Sequence, residues 1–289
     1  MLAWLRRWRD EQGDVTVLGA VRVALGALLL ANALRAAGEL RRGYFGDAFH
    51  WPILPEVLVP SRSVYTALVA GQLALAVLVV LGPRARDALL ASSLLGTYVL
   101  LCDRLEYHHN RWALFCYAGL LALAPCDRSF RVTAAPGPRT GPLWAARLAQ
   151  LQVSIIYLAS GGSKLLEPDW RSGRVLLERF RLYAQTLDGP GIIAWLVEQG
   201  SRPGVTGLLA ALAIATELFL AVGLWSRRTR AFALCWGILF HLAIEATSRV
   251  EGFTWLTLAV YALFVTPDMR AWRLFVATFT RPRGGTRPR

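Results

Sequence analysis

The sequence predicts an all-α fold, a polytopic bundle of membrane-spanning helices. Of its 289 residues, 55% are hydrophobic and only 18% are charged, whereas soluble domains usually carry about a quarter charged residues. The mean hydropathy is +0.41, and the apolar residues gather in segments long enough to cross a bilayer. This composition argues against a disordered chain, a disulfide-rich secreted domain and a conventional nucleic-acid-binding module.

Eight apolar segments approach the length of about 20 residues that a membrane helix needs. They lie at 15–34, 64–81, 87–103, 111–124, 143–165, 204–224, 229–248 and 253–270. The fourth is the shortest, and we expect its helix to begin nearer His108. Together the spans form one transmembrane domain over residues 1–271, which includes a long amphipathic outer loop at 166–203. The basic tail at 272–289 is expected to be disordered.

The arginines indicate how the bundle is oriented. The chain has 32 basic and 19 acidic residues, a formal charge of +13, and membrane proteins concentrate basic residues in cytoplasmic loops. Arg227, Arg228 and Arg230 lie between two close spans, whereas the facing turn at 249–252 has one arginine, Arg249. With about eight spans, this asymmetry predicts that both termini are cytoplasmic. The basic excess therefore indicates topology and a lipid partner, and we expect no nucleic acid to bind.

The cysteines and paired histidines do not have the spacing of a metal or redox site. A zinc site or disulfide framework needs clustered thiolates at short paired spacings, and the four cysteines have none. His108 and His109 lack the spacing of four residues that a helical metal pair needs. We therefore expect packing roles for Cys102, Cys116, Cys126 and Cys235, and no metal.

One face of the fifth span carries a series of polar and small residues. The intervals between them are three or four residues, as one face of an α-helix requires. The members are Arg147, Gln150, Ser154, Tyr157, Gly161 and Lys164. The series ends in Ser160-Gly161-Gly162-Ser163-Lys164, where glycines admit another backbone closely. We expect Lys164, the one lysine in the chain, to line an internal pocket near the outer end of this span.

The histidines fall on the same predicted side as Lys164. Ionisable residues inside a membrane are costly, and by default they line functional sites. The outer-side groups are His50 in the first outer loop, His108 and His109 in the turn at 103–110, and His241, Glu245 and Ser248 on one face of the seventh span. Their convergence predicts the functional pocket.

Several of these residues also have a structural interpretation. Lys164 could snorkel to the membrane interface, and His241 with Glu245 could be a satisfied interhelical hydrogen-bond pair. Arg22 and Glu217 each lie about seven residues from the inner end of a span. Since an unpaired charge in lipid is costly, we predict a structural ion pair between them.

The segment from Tyr157 to Gly173 reads YLASGGSKLLEPDWRSG and resembles the central motif of the vitamin K-dependent gamma-carboxylase family. That family includes bacterial proteins with a horizontally transferred transmembrane (HTTM) domain. Further segments are similar in the same order: 22–26, 44–45, 109–112 and 240–241. The resemblance covers roughly residues 10 to 270, almost the whole chain.

The resemblance implies a quinol-dependent membrane enzyme with vitamin K hydroquinone or menaquinol, O2 and CO2 as co-substrates. A lysine matching Lys164 deprotonates the quinol, whose oxygenation yields a strong base that removes a glutamate proton so that CO2 adds. A histidine matching His241 helps to position the quinone, and we expect Glu245 beside it. The expected cofactor contacts are Tyr157, Gly161, Gly162, His108, His109, Asn110 and Trp170.

The family also implies partners and a location. The expected partners are the bilayer, a lipophilic quinone and a Glu-containing secreted or membrane peptide. The expected location is the bacterial inner membrane, with the active pocket toward the periplasmic side. Animal carboxylases carry a large outer domain that binds the substrate propeptide, whereas here only the loop at 166–203 offers a docking surface. Two alternatives are therefore a quinone- or lipid-binding protein without carboxylase activity, and a structural or immunity-type partner of another protein.

Overall fold

The computed structural model describes residues 2–45, 51–132, 138–187, 191–202, 204–248, 252–267 and 269. The helices are α1 (Leu2–Asp10), α2 (Thr16–Arg41), α3 (Arg62–Leu81), α4 (Ala85–Leu101), α5 (His109–Ala122), α6 (Trp144–Leu166), α7 (Pro168–Arg171), α8 (Arg174–Ala184), α9 (Ile192–Gly200), α10 (Val205–Gly223), α11 (Arg230–Ser248) and α12 (Phe253–Tyr261). Two short strands, β1 (Gln12–Asp14) and β2 (Thr140–Pro142), pair antiparallel. This small sheet joins the N-terminal segment to the start of α6.

The predicted class, an all-α membrane bundle, is confirmed. Each of the eight predicted spans coincides with one helix, in order α2 to α6 and α10 to α12. Four described helices are long and apolar enough to cross a membrane: Thr16–Arg41, Arg62–Leu81, Val205–Gly223 and Arg230–Thr247. The number of crossings and the cytoplasmic position of both termini remain predictions.

The last predicted span is too long at its C-terminal end. α12 ends at Tyr261, a 3-10 turn continues it to Phe264, and Val265 is extended, whereas the apolar pattern predicted a helix to residue 270. Pro267 explains the difference, because a proline disfavours helical backbone at the residue before it. The predicted basic tail and His50 lie outside the described residues.

The helices pack mainly against their neighbours in the chain and then close around α6. α2, α3, α4 and α5 form consecutive hairpins, α6 packs along α10, and α12 contacts α2, α6 and α11. One large apolar cluster runs through these helices and includes Leu25, Phe115 and Phe264. Side chains on the inner face of α6 are therefore enclosed by α10, α11 and α12.

The predicted amphipathic loop forms three short helices, α7, α8 and α9, which pack over α10 and α11. Phe180 of α8 is buried against Gly200, where a Cβ atom would come within 2.7 Å of its ring. Other apolar side chains on α8 and α9, among them Leu182, Ile192 and Trp195, are exposed. The loop is thus a helical cover at the Lys164 end of α6.

The predicted ion pair between Arg22 and Glu217 is wrong. Arg22 of α2 is fully buried, and among the described residues its guanidinium donates only to carbonyl oxygens. The acceptors are those of Val79, Val80 (3.0 Å), Cys126 (3.2 Å), Ser129 (3.2 Å) and Phe130 (2.6 Å). The planar fork of arginine suits such a set of acceptors, so the charge is solvated by backbone.

The end of α3 explains why Arg22 is needed there. The last four carbonyls of a helix lack partners within it. The Gly82 N–H donates to the Leu78 carbonyl (2.9 Å), and the Val132 N–H donates to the Leu81 carbonyl (3.1 Å). The remaining two carbonyls, those of Val79 and Val80, accept from Arg22. The negative end of the helix dipole also favours a cation at this position. One turn along α2, Gly26 brings α3 close, because a Cβ atom there would lie 2.8 Å from the Val80 side chain.

Replacing Arg22 by lysine should therefore destabilise the protein even though the charge is kept. Lysine has three donors instead of five, so buried carbonyls lose their partners, at a cost of about 1–3 kcal/mol. Thermal unfolding of the detergent-solubilised protein measures the effect. Arg62→Lys, at an exposed position, is the matched control. Equal melting temperatures for the two variants would contradict this account.

Candidate functional site

Lys164 and Glu217 form an ion pair between α6 and α10. The Lys164 Nζ atom lies 2.7 Å from each Glu217 carboxylate oxygen and also donates to the Ser160 hydroxyl. The exposed fractions of the two side chains are 16% and 10%. The ammonium therefore lies among the helices against a carboxylate, and does not extend away from them as a snorkelling lysine would.

Gly161 makes this pair possible by letting α6 and α10 approach closely. A Cβ atom at Gly161 would lie 3.0 Å from the Leu218 side chain and 3.2 Å from the Cβ atom of Glu217. A Cβ atom at Gly162, in contrast, would meet nothing within 4 Å. The two adjacent glycines of the motif thus differ, since only Gly161 lies in the helix contact.

Trp170 covers the ion pair from the α7 side. Its ring centroid lies 5.0 Å from Lys164 Nζ and 5.6 Å from the Arg179 guanidinium carbon, which are cation–π distances. Pro168 starts α7, and Gly173 ends the motif with a positive φ of 80°. A Cβ atom at Gly173 would come within 2.5 Å of the backbone at Thr206 and Gly207, so this glycine brings the motif against α10.

A second polar cluster lies about two helical turns along α6 from Lys164, where Tyr157, His241 and Tyr261 meet. The Tyr157 hydroxyl is hydrogen-bonded to both His241 Nε2 and the Tyr261 hydroxyl. All three side chains are at most 3% exposed. Gly237 leaves room for Tyr261, because a Cβ atom there would overlap the phenol. Three helices, α6, α11 and α12, thus share one hydrogen-bonded chain.

His241 and Glu245 do not form the satisfied pair that was one interpretation of their spacing. Within the described part of the chain, His241 Nδ1 and Glu245 Oε2 are both buried and have no hydrogen-bond partner. A buried polar atom without a partner is costly. Both atoms lie on one face of α11 and have hydrogen-bonding capacity for a ligand or water.

The other polar residues on the predicted face of α6 hold the bundle together. Ser154 accepts a hydrogen bond from the Trp225 indole (2.7 Å), and the Gln150 amide donates to the Leu263 carbonyl (2.7 Å). Arg147 pairs with Glu11 beside β1, and its hydrogen bond lowers the pKa of that carboxyl. The predicted face therefore does point inward, and its Lys164 end pairs with a charged residue of α10.

A cavity of about 220 Å³ lies between α2, α5 and α12. Its polar lining is Asn32, Arg35, Asn110 and Arg111, and its apolar lining includes Leu28, Leu114, Trp255 and Leu256. Leu256 also lines a narrow void of about 10 Å³ that reaches Tyr157. This leucine therefore lies between the cavity and the Tyr157–His241 cluster.

The turn before α5 brings only one of its three predicted contact residues to the cavity. His108 caps α5, because its Nδ1 atom accepts the Asn110 backbone N–H at 3.2 Å. His109 is exposed and stacks on His108 with ring centroids 4.6 Å apart. Asn110 is buried and lines the cavity.

The sequence did not indicate Glu217 and Tyr261 as members of the site. Glu217 was assigned to Arg22 by counting residues from the inner end of α10. Lys164 reaches it because long helical side chains point back toward the N-terminus of their helix, here to the level of Gly161. Gly161 was the available signal in the sequence. A glycine on the polar face of α6 indicates that another helix packs closely there, and a polar residue of that helix can then reach Lys164.

The fold and the site define a polytopic membrane protein with an ion pair and a hydrogen-bonded His–Tyr chain inside its helix bundle. A family model of the HTTM domain matches residues 11–269, nearly the entire chain, so the protein belongs to the HTTM-domain family. This is the family of proteins related to the vitamin K-dependent carboxylases. No curated protein and no solved structure matches the chain.

The two glycines permit a matched test of the helix contact. Gly161→Val should lower the stability by about 1–3 kcal/mol, because overpacking forces α6 and α10 apart. Gly162→Val faces open space and should change it by less than about 0.5 kcal/mol. Thermal unfolding in the same detergent compares the two variants, and similar melting temperatures would refute the close-contact role of Gly161.

Proposed function

We propose that this protein is a membrane enzyme of the carboxylase type that activates a reduced quinone at the Lys164–Glu217 pair. The observation that carries the proposal is this pair, enclosed among helices and covered by Trp170. Burying a charged pair away from water is costly. Ionisable residues inside a membrane are therefore functional candidates by default. Here the pair stands in the family motif and next to a hydrogen-bonded chain that contains His241.

The groups of the site have complementary roles in this proposal. Lys164 and Glu217 are the basic centre, which removes a proton from the quinol. His241, held by Tyr157, positions the quinone ring, and the unpartnered Nδ1 atom and the Glu245 carboxylate supply further hydrogen bonds to it. The chemistry that a bound quinol supplies is the reaction with O2 that drives carboxylation of a glutamate by CO2.

The cavity beside Asn110 fits the head of such a quinone. Its volume of about 220 Å³ exceeds the roughly 150 Å³ of an apolar cavity that takes a benzene ring. Leu28, Leu114 and Trp255 offer apolar and aromatic contacts, and Asn110 offers an amide for a ring oxygen. A quinone in this cavity requires movement of Leu256 to approach Tyr157.

The proposal extends to the location and partners. The protein lies in a bacterial inner membrane with this pocket toward the periplasmic side, as the arginine distribution predicts. A Glu-containing secreted or membrane peptide then reaches the site past α7, α8 and α9, whose exposed apolar residues provide contact surface. The bilayer supplies the lipophilic quinone.

A second candidate is a quinone-binding protein without carboxylase activity. It is favoured by the hydrogen bonds of Lys164, since an ammonium group that donates to a carboxylate and a hydroxyl serves equally well as a structural cation. The two candidates differ in one product. Incorporation of labelled CO2 into a glutamate-rich peptide is expected for the enzyme and not for the binding protein.

Substitution of Lys164 tests the proposed enzyme. Lys164→Ala should reduce O2-dependent quinol epoxidation by at least about 100-fold, the range over which a positioned acid–base group contributes. The purified protein in lipid nanodiscs is assayed with reduced menaquinone, and thermal unfolding confirms that it is folded. Arg181→Ala, at an exposed cation on α8, is the control. Unchanged turnover in the folded Lys164 variant would refute the proposed role.

A further inference from the structure

The two unpartnered polar atoms of α11 lie one helical turn apart. His241 Nδ1 and Glu245 Oε2 are buried, and neither has a hydrogen-bond partner among the described residues. His241 is 1% exposed. Side chains four positions apart on a helix are neighbours, with Cβ atoms about 5–6 Å apart. Because a buried polar atom without a partner is costly, the two atoms together mark a place for a polar group of a ligand or for a water molecule.

The hydrogen-bonded chain from Tyr261 through Tyr157 to His241 indicates which ring nitrogen carries the proton. A neutral imidazole has one N–H donor and one acceptor nitrogen. If Tyr261 donates to Tyr157 and Tyr157 donates to His241 Nε2, both phenol protons are used and only Nδ1–H lacks a partner. The opposite direction leaves two groups unsatisfied among the described residues, the Tyr261 proton and the Nδ1 lone pair. The first direction is therefore favoured, and Nδ1–H is a donor.

Glu245 supplies the complementary atom, because an ionised carboxylate accepts hydrogen bonds and donates none. A single hydroxyl group fits both atoms. Its oxygen accepts from His241 Nδ1–H and its proton is donated to Glu245 Oε2, and two bonds of about 2.7–3.0 Å span the gap between neighbouring side chains. A carbonyl oxygen fits only the imidazole, since it has no proton for the carboxylate.

This donor and acceptor lie beside the route from the cavity to Tyr157. The narrow void that reaches Tyr157 is lined by Phe253 and Leu256, and Leu256 also lines the cavity of about 220 Å³. The Phe253 ring packs on the His241 ring with centroids 5.4 Å apart. A quinone ring that passes Leu256 therefore arrives next to the His241 side chain.

We propose that Glu245 makes the site select the reduced quinone over its oxidised form. This inference rests on the proposed function, because it names the redox state of the ligand in that site. A reduced quinone carries hydroxyl groups, whereas the oxidised quinone and its epoxide carry carbonyl oxygens. The reduced form engages both His241 Nδ1 and Glu245 Oε2, and each carbonyl form places an oxygen lone pair against the carboxylate. The site thus takes the substrate from a mixed pool and releases the product.

The experiment compares the affinities for the two redox states without turnover. Purified protein in nanodiscs is titrated anaerobically with a 1,4-naphthoquinone that carries a short isoprenoid tail, once oxidised and once reduced, and empty nanodiscs correct for partition into lipid. Wild type should bind the reduced form at least about tenfold more tightly, which raises the midpoint potential of the bound two-electron couple by about 30 mV. Glu245→Gln, whose amide both donates and accepts, should lower this preference to less than about threefold. Glu198→Gln, at an exposed position on α9, should match wild type.

Two methyl ethers of the reduced compound keep the test decisive if Glu245→Gln does not fold. The monomethyl ether keeps one hydroxyl group and the dimethyl ether has none, so wild type should bind the monomethyl ether at least about tenfold more tightly, as a charge-assisted hydrogen bond requires. Equal affinities for the two ethers or for the two redox states, as a bridging water alone would give, would overturn this inference. So would a preference for the oxidised form, as a protonated Glu245 would give, or an unchanged preference in folded Glu245→Gln.

The same titrations separate this inference from the proposed function. Tight binding of both redox states without a preference overturns the selection by Glu245 and leaves the proposed quinone site standing. Failure of wild type to bind either redox state would refute the proposed function as well.

Discussion

The close contact of α6 and α10 at Gly161 is the constraint on which the arrangement of this protein depends. It places Glu217 within reach of Lys164, and two turns away Ser154 accepts a hydrogen bond from the Trp225 indole. It also leaves the opposite side of Tyr157 free to meet α11 and α12. The Lys164–Glu217 pair is thus buried between two helices because Gly161 has no side chain.

Burial of these groups also accounts for the composition of α6. A helix in the centre of the bundle has no surface in contact with lipid along its polar face, and this face can hold arginine, glutamine, serine and tyrosine if every group finds a partner. Gln150 and Arg147 do so through Leu263 and Glu11. α6 consequently fails a simple hydropathy criterion for a span, although it lies among the helices that pass one.

The sequence was sufficient for the fold but only partly for the site. Apolar length and turn residues located eight helices, and the three-to-four spacing identified the inward face of α6, because both depend on local periodicity. The partner of Lys164, Glu217, is 53 residues away in the chain. Whether the two meet depends on how far α10 is shifted along α6, which no local pattern encodes. The same limit applies to the turn before α5, where capping geometry determined that Asn110, and not His109, faces the cavity.

The backbone shell around Arg22 has a consequence for biosynthesis. Arg22 belongs to the first long apolar helix to be made, yet its acceptors lie between 57 and 108 residues further along the chain. An arginine in an inserting helix is costly, by about 2.5–3.5 kcal/mol at the helix centre and less toward an end, and three of the carbonyl partners of Arg22 lie at residues 126–130. The Arg22 guanidinium therefore gains its first two carbonyl partners from the end of α3, and its set of five is complete only once the segment after α5 has been made.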